Sequence, residues 1–154
     1  MKPRRIYTDT SVIGGCLDEE FEEASLRLFD SFESGRAILV ISDLTLLELQ
    51  NAPPAVRQVI GRIPQAHTEL VEFTREASAL ADKYIRDKVI GPGMLVDAQH
   101  IATATIHRVD VLVSWNFKHI VNLPRIHGYN SVNLREGYPL LEIRTPQEVI
   151  SYEE

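Results

Sequence analysis

Apolar positions follow two rhythms along the chain: short unbroken runs of strand length, and longer stretches in which they recur at helical spacing. Ala37-Ile38-Leu39-Val40-Ile41 and Val111-Leu112-Val113 are of the first kind, the pattern of strands covered on both faces. Ile6-Tyr7 predicts a short opening strand, and Leu140-Leu141-Glu142-Ile143 a closing one. Helical spacing covers 22–33, stopped by Ser34-Gly35, and also 75–86 and 94–107. Further helices are predicted over 43–51, with Ser42 as N-cap, and over 55–62, opened by Pro53-Pro54. Residues 68–73 alternate weakly and read as an edge strand or a loop. Beyond Ile120 the series Asn122, Pro124, Gly128, Asn130, Asn133 and Gly137 predicts irregular chain, before Thr145-Pro146-Gln147-Glu148 opens a short last helix. No repeat, low-complexity tract or linker interrupts 1–154, so one domain is expected.

A helix and the strand that follows it run in opposite directions when packed together. The start of the 94–107 helix is therefore expected beside the end of the 111–113 strand, which brings Asp97 near Ser114 and Asn116 at the carboxyl edge of a sheet. Asp9, followed by Thr10 and Ser11, ends the first strand at the same edge; it reads either as part of a site or as a helix N-cap. Glu48 lies in a helix that Leu44, Leu46, Leu47 and Leu49 make apolar nearly all round. A carboxylate on a largely buried helix needs a partner, and a metal ion is one; alternatively, Thr45 and Glu48 mark the wet side. Three carboxylates and an amide oxygen, with no companion cysteine and no paired-histidine spacing, form a hard-oxygen set that suits Mg²⁺ or Mn²⁺ better than Zn²⁺.

Composition narrows the setting. With 44% hydrophobic and 25% charged residues, the 154-residue chain has the profile of an ordinary globular domain able to bury its own core. The single cysteine, Cys16, excludes an internal disulfide and reads as a small buried hydrophobe. The basic N-terminus lacks the apolar stretch of a signal peptide, and no run is long enough to span a bilayer, so a cytoplasmic location without membrane contact is expected. A net charge of −6 disfavours phosphate binding, unless part of it is a group of carboxylates awaiting a cation.

Four blocks carry a family resemblance: Tyr7-Thr8-Asp9-Thr10-Ser11-Val12-Ile13, Ser42 with Glu48, Asp97-Ala98-Gln99-His100-Ile101-Ala102-Thr103-Ala104, and Val113-Ser114-Trp115-Asn116-Phe117. In this order the chain resembles PIN-domain proteins of the VapC-like kind over essentially its whole length. The resemblance implies a three-layer α/β/α fold around a central, mainly parallel sheet, a Mg²⁺ or Mn²⁺ site and ribonuclease activity on RNA phosphodiesters. Many such members are toxins of type II toxin-antitoxin pairs, which implies an antitoxin protein and a homodimer as partners. It also implies Asp9, Glu48 and Asp97 as the metal-binding catalytic acids, with Asn116 at the fourth position. Thr10 or Ser11, together with Ser114, would hold these acids by hydrogen bonds. The chain departs from the family at Asn116, where Asp is frequent, and at Val96, where some relatives carry a further acid. Both changes thin the charge, so a catalytically weak or silent module that acts by binding protein stands as the alternative.

Other residues near these blocks have plainer readings. His100 reads as a surface or packing histidine more readily than as a site residue. Trp115 is a base-stacking platform or, preferably, a lid over the core. Lys118, His119, Arg125 and His127 form either a phosphate-contacting strip or a solvated loop. A receiver-like phosphoacceptor fits poorly, because no adjacent acidic pair follows the first strand.

Overall fold

In the computed structural model the strands β1 (Arg4–Thr8), β2 (Ala37–Ser42), β3 (Thr68–Val71), β4 (Val111–Val113) and β5 (Ile143–Arg144) form one sheet, ordered β3-β2-β1-β4-β5. Every neighbouring pair is parallel, and Tyr7 stands opposite both Val40 and Leu112. The structure describes residues 2–151; the ends of the expected 1–154 domain, Met1 and residues 152–154, lie outside them. The chain winds outward from β1 to β3, then returns to β1 and continues on its other side through β4 and β5. That reversal opens a crevice at the carboxyl ends of β1 and β4.

Parallel strands need crossovers, and the helices that supply them cover both faces. They are α1 (Thr10–Gly15), α2 (Glu22–Glu33), α3 (Asp43–Gln50), α4 (Pro54–Gly61), α5 (Arg75–Arg86), α6 (Leu95–Ile106), α7 (Leu123–Arg135) and α8 (Pro146–Ser151). Alternation along each strand sorts the core into two halves. Ile6, Leu39, Ile41, Val111 and Val113 pack with residues of α1, α2, α4 and α8. Tyr7, Val40, Leu112 and Ile143 pack with residues of α5, α6 and α7. The result is the three-layer α/β/α fold expected from the sequence. No helix among the described residues is long and apolar enough to cross a membrane.

Local signals set most boundaries. Gly35, at φ +79°, takes the left-handed conformation that ends α2, and Thr74 caps α5 by accepting the Ala77 N–H at 3.1 Å. Residues 68–71 form the edge strand of the two readings left open. The closing strand is shorter and later than expected, Ile143–Arg144. Gly14 and Gly15 complete α1.

The largest departure is α7, where irregular chain was expected. Pro124 stands in the first helical turn, where no N–H is required, behind Asn122, whose side chain accepts the Arg125 N–H at 3.0 Å. Gly128 lies so close to α5's trailing loop that a Cβ there would sit 2.7 Å from Val89 Cγ1. Asn130 accepts the Leu141 N–H at 2.7 Å, and buried Asn133 accepts the Tyr84 hydroxyl at 2.5 Å. Residues that resemble helix breakers are thus a cap, a contact point and two tertiary pins. A second correction concerns α3, which is not largely buried. Thr45 and Leu49 face inward, whereas Leu46 and Leu47 are 41% and 61% exposed, because the helix stands on the end of β2 beside α1 instead of lying over the sheet.

The Gly128 contact sets a measurable cost. Gly128→Ala is expected to lose about 1–3 kcal/mol of stability in urea denaturation through overpacking, and Val89→Ala to recover part of it in the double variant. Additive losses would show that the two residues do not meet.

Candidate functional site

The ends of β1 and β4 and the start of α6 meet in the crevice where the winding reverses. Asp9 occupies the N-cap position of α1, yet its side chain caps nothing. Its Oδ1 accepts the Ser11 hydroxyl at 2.5 Å, and its Oδ2 accepts the Ser114 hydroxyl at 2.6 Å. The helix-cap reading of Asp9 therefore gives way, because parallel pairing with β4 brings Ser114 within reach. Ser11 Oγ in turn receives the Trp115 N–H and Ser114 Oγ the Asn116 N–H, each at 2.9 Å. Burial pushes the Asp9 carboxyl up from its ordinary range, while the two hydroxyls and the nearby His100 pull it back.

Asp97 lies half-buried in the first turn of α6. Its neighbour Asn116 can be oriented without ambiguity. The His119 backbone N–H can only donate, so the Asn116 atom receiving it at 2.9 Å is Oδ1, and Nδ2 faces Asp97 Oδ2 at 3.3 Å. The amide oxygen expected as a fourth ligand accepts one hydrogen bond from the turn and keeps a second lone pair, while Nδ2 offers Asp97 a donor. Burial raises the Asp97 carboxyl most, followed by the negative charge of Asp9, with Glu48 acting in the same direction. The Asp97 carboxyl thus feels the charge of acids on two other elements.

Glu48 reaches the same place from α3. Its Oε2 accepts the Thr10 hydroxyl at 3.4 Å, and its Oε1 accepts from His100 Nε2 at 2.5 Å. His100 is the residue that reading the sequence undervalued. It is 2% exposed, and its Nδ1 lies 2.6 Å from the Tyr7 hydroxyl, itself 2.7 Å from Ser42 Oγ. The available signal was its spacing from Asp97, one turn earlier on the same helical face.

The remaining candidates separate. Trp115 stacks on Phe21 at 4.5 Å and donates its indole N–H to Ser25 Oγ at 2.9 Å, so it acts as a lid over the core. Phe117 beside it is 52% exposed. The basic strip is broken up. The Arg125 guanidinium is turned to the Val89 carbonyl, and His119 is half-buried near Asp97, which leaves Lys118 and His127 at the surface. Cys16 is buried, with its thiol pushed up to about 12 by desolvation, as suits a core residue.

Among the described residues no three His, Cys, Asp or Glu side chains form a ready metal cage. Each acid already turns at least one oxygen to a protein donor. The donor chemistry nevertheless fits a hard divalent cation: carboxylate oxygens, buried at Asp9 and half-buried at Asp97, that are short of compensating positive charge.

Known proteins share the fold. The family model for the PIN domain matches residues 6–118. A similar solved structure is VapC20 of Mycobacterium tuberculosis, a sarcin-ricin loop cleaving toxin, at 15% identity over 74% of this chain and 92% of that one, with a TM-score of 0.56. VapBC2 from Rickettsia felis, bound to a DNA fragment from their promoter, is similar at 14% identity over 92% and 98% of the two chains, with a TM-score of 0.57. FitAcB from Neisseria gonorrhoeae is similar at 15% identity over 92% and 98%, with a TM-score of 0.56. At such identities these likenesses speak for the fold. No curated protein matches the sequence.

The raised Asp97 carboxyl has a signed consequence. In the window between its unfolded and folded values the native protein binds more protons, so stability falls as pH rises through that window. Asp97→Asn is therefore expected to melt above the wild type near neutral pH in metal-free buffer, with the gain fading below the ordinary carboxylate range. A gain that persists in acid would show that the charge of the Asp97 carboxylate is not its source.

Proposed function

The chain belongs to the PIN domain family, and on that premise we propose that it is a metal-dependent endoribonuclease that hydrolyses RNA phosphodiesters and serves as the toxin of a type II toxin-antitoxin pair. What supports this reading is that donors on neighbouring elements hold Asp9, Glu48 and Asp97, and that Asp97 senses the charge of the other two acids. Oxygens of Asp9, Glu48 and Asp97 would hold Mg²⁺ or Mn²⁺, which when bound lowers the pKa of water and stabilises charge on a phosphoryl group.

The protein's own residues prepare that place. Ser11 and Ser114 present only donors to Asp9, which favours its charged form and prevents its rotation. Thr10 steadies Glu48, and Asn116 steadies Asp97 with a neutral donor where a further acid would add repulsion. In this reading Asn116 serves the site through Asp97. Exposed apolar residues flank the acids in sequence, Leu46 and Leu47 before Glu48, Val96 before Asp97 and Phe117 after Asn116. They favour an antitoxin or a second copy of the chain as protein partner, in the cytosol and on one PIN-like unit.

A second reading has its own support. Asn116 in place of an acid, and carboxylates already engaged by protein donors, are what a catalytically silent, partner-binding module would show. Calorimetry that detects antitoxin association but no Mg²⁺ or Mn²⁺ binding would select it.

The test of the first reading is RNA cleavage. Activity is expected to need Mg²⁺ or Mn²⁺ and to vanish with a chelator. Asp9→Asn, which keeps the side chain's shape, should lower it more than about a hundredfold, since loss of even the outer hydrogen-bond partners of metal ligands costs about 10–100-fold. Cleavage that proceeds without metal would sink the proposal.

A further inference from the structure

A buried hydrogen-bonded circuit ties Glu48 to the elements that carry the other two acids. It starts at Ser42, the N-cap of α3, where Ser42 and Thr45 form a capping box. It passes from Ser42 Oγ to the Tyr7 hydroxyl on β1, two residues before Asp9, at 2.7 Å. Tyr7 continues to His100 Nδ1 on α6, one turn after Asp97, at 2.6 Å. His100 Nε2 returns to Glu48 Oε1 on α3 at 2.5 Å. A carboxylate can only accept, so Nε2 carries the hydrogen of that last bond.

The two ends of the final link differ in freedom. The His100 side chain is 2% exposed and lies edge-on to the Tyr7 ring at 5.7 Å and 64°, so its orientation is set by packing and by both ring nitrogens. The Glu48 side chain is 36% exposed and carries three rotatable torsions, which leave it mobile unless something holds it. Of its protein partners, Thr10 is long at 3.4 Å, whereas His100 is close and buried.

We propose that His100, anchored by Tyr7 and Ser42, is a positioning residue that fixes the Glu48 carboxylate toward Asp9 and Asp97. This rests on the metal-nuclease reading. It goes beyond that reading by giving a metal-site role to a histidine outside the acid set. A histidine serving only the core would support folding and leave metal affinity untouched.

The experiment compares wild type, His100→Phe, His100→Gln and Tyr7→Phe by Mn²⁺ titration calorimetry, RNA cleavage and thermal melting. His100→Phe fills the space without a donor and is expected to weaken Mn²⁺ binding about 10–100-fold. Its kcat should fall at subsaturating Mn²⁺ while KM for RNA stays within about twofold of wild type. His100→Gln, whose amide can reach Glu48 from nearly the same point, is expected to restore most of the Mn²⁺ affinity. Tyr7→Phe, which frees the far ring nitrogen, should weaken Mn²⁺ binding several-fold. If His100→Phe fails to fold, His100→Gln and Tyr7→Phe decide: affinity near wild type for the first with loss for the second supports the proposal, and unchanged affinity in Tyr7→Phe overturns it. A folded His100→Phe that binds Mn²⁺ as tightly as wild type, or His100→Gln no better than His100→Phe, also overturns it while the nuclease reading stands. A wild type that binds no Mn²⁺ and cleaves no RNA removes the nuclease reading, and the role of His100 with it.

Discussion

Asp9 is a buried carboxylate held between a hydroxyl in the first turn of α1 and one just past β4, and the second is within reach only because the sheet is wound in both directions from β1. A charge so placed would be unaffordable without those donors. The donors exist because β4 pairs with β1 in parallel, with Thr8 opposite Val113, so that the residues leaving both strands emerge together. A shift of β4 by one residue would turn Ser114 to the opposite face and leave Asp9 buried without that donor. The crevice, the turn through Trp115 and Asn116, and the approach of α6 all depend on this pairing.

Around that point the molecule sets hydrogen-bond donors against like charges. Asp97 is pushed up by burial and by its neighbours, and Asn116 answers with an N–H rather than a cation. Glu48 is met by an imidazole, and Asp9 by hydroxyls. Each contact lowers the cost of assembling the acids, and none removes the shortage of positive charge. The overall charge of −6 is thus in part local, drawn to one edge of the sheet. Hard-oxygen sites are built in this way: rigid donors orient carboxylates whose repulsion is relieved when a cation arrives.

The two helical layers share the task unequally. α5, α6 and α7 bury aromatic and polar pins such as Tyr84, Tyr129 and Asn133, which lock one face of the sheet. On the other side α3 is the exception among the helices, because it stands at the sheet's end with Leu46 and Leu47 outward. Its Thr45 and Leu49 face inward and its Leu46 and Leu47 face outward, so Glu48 and an exposed apolar surface share one short helix.

Hydrophobic rhythm alone was enough to place β1, β2 and β4 and to bound α2 and α5, because buried strands and amphipathic helices write their period into the chain. It could not reveal α7, where Pro124, Gly128, Asn130 and Asn133 are chosen by contacts with Val89, Leu141 and Tyr84 that are distant in sequence. Nor could it reveal His100, since a histidine among apolar helix residues looks the same whether it fills space or holds a carboxylate. Residue types and their order determined the fold class and the candidate acids. The pairing of Ser114 with Asp9, the turn of Asn116's oxygen to the His119 N–H and the bond from His100 to Glu48 were decided by tertiary structure, because hydrogen bonds depend on distances and directions that exist only once the sheet has closed its register.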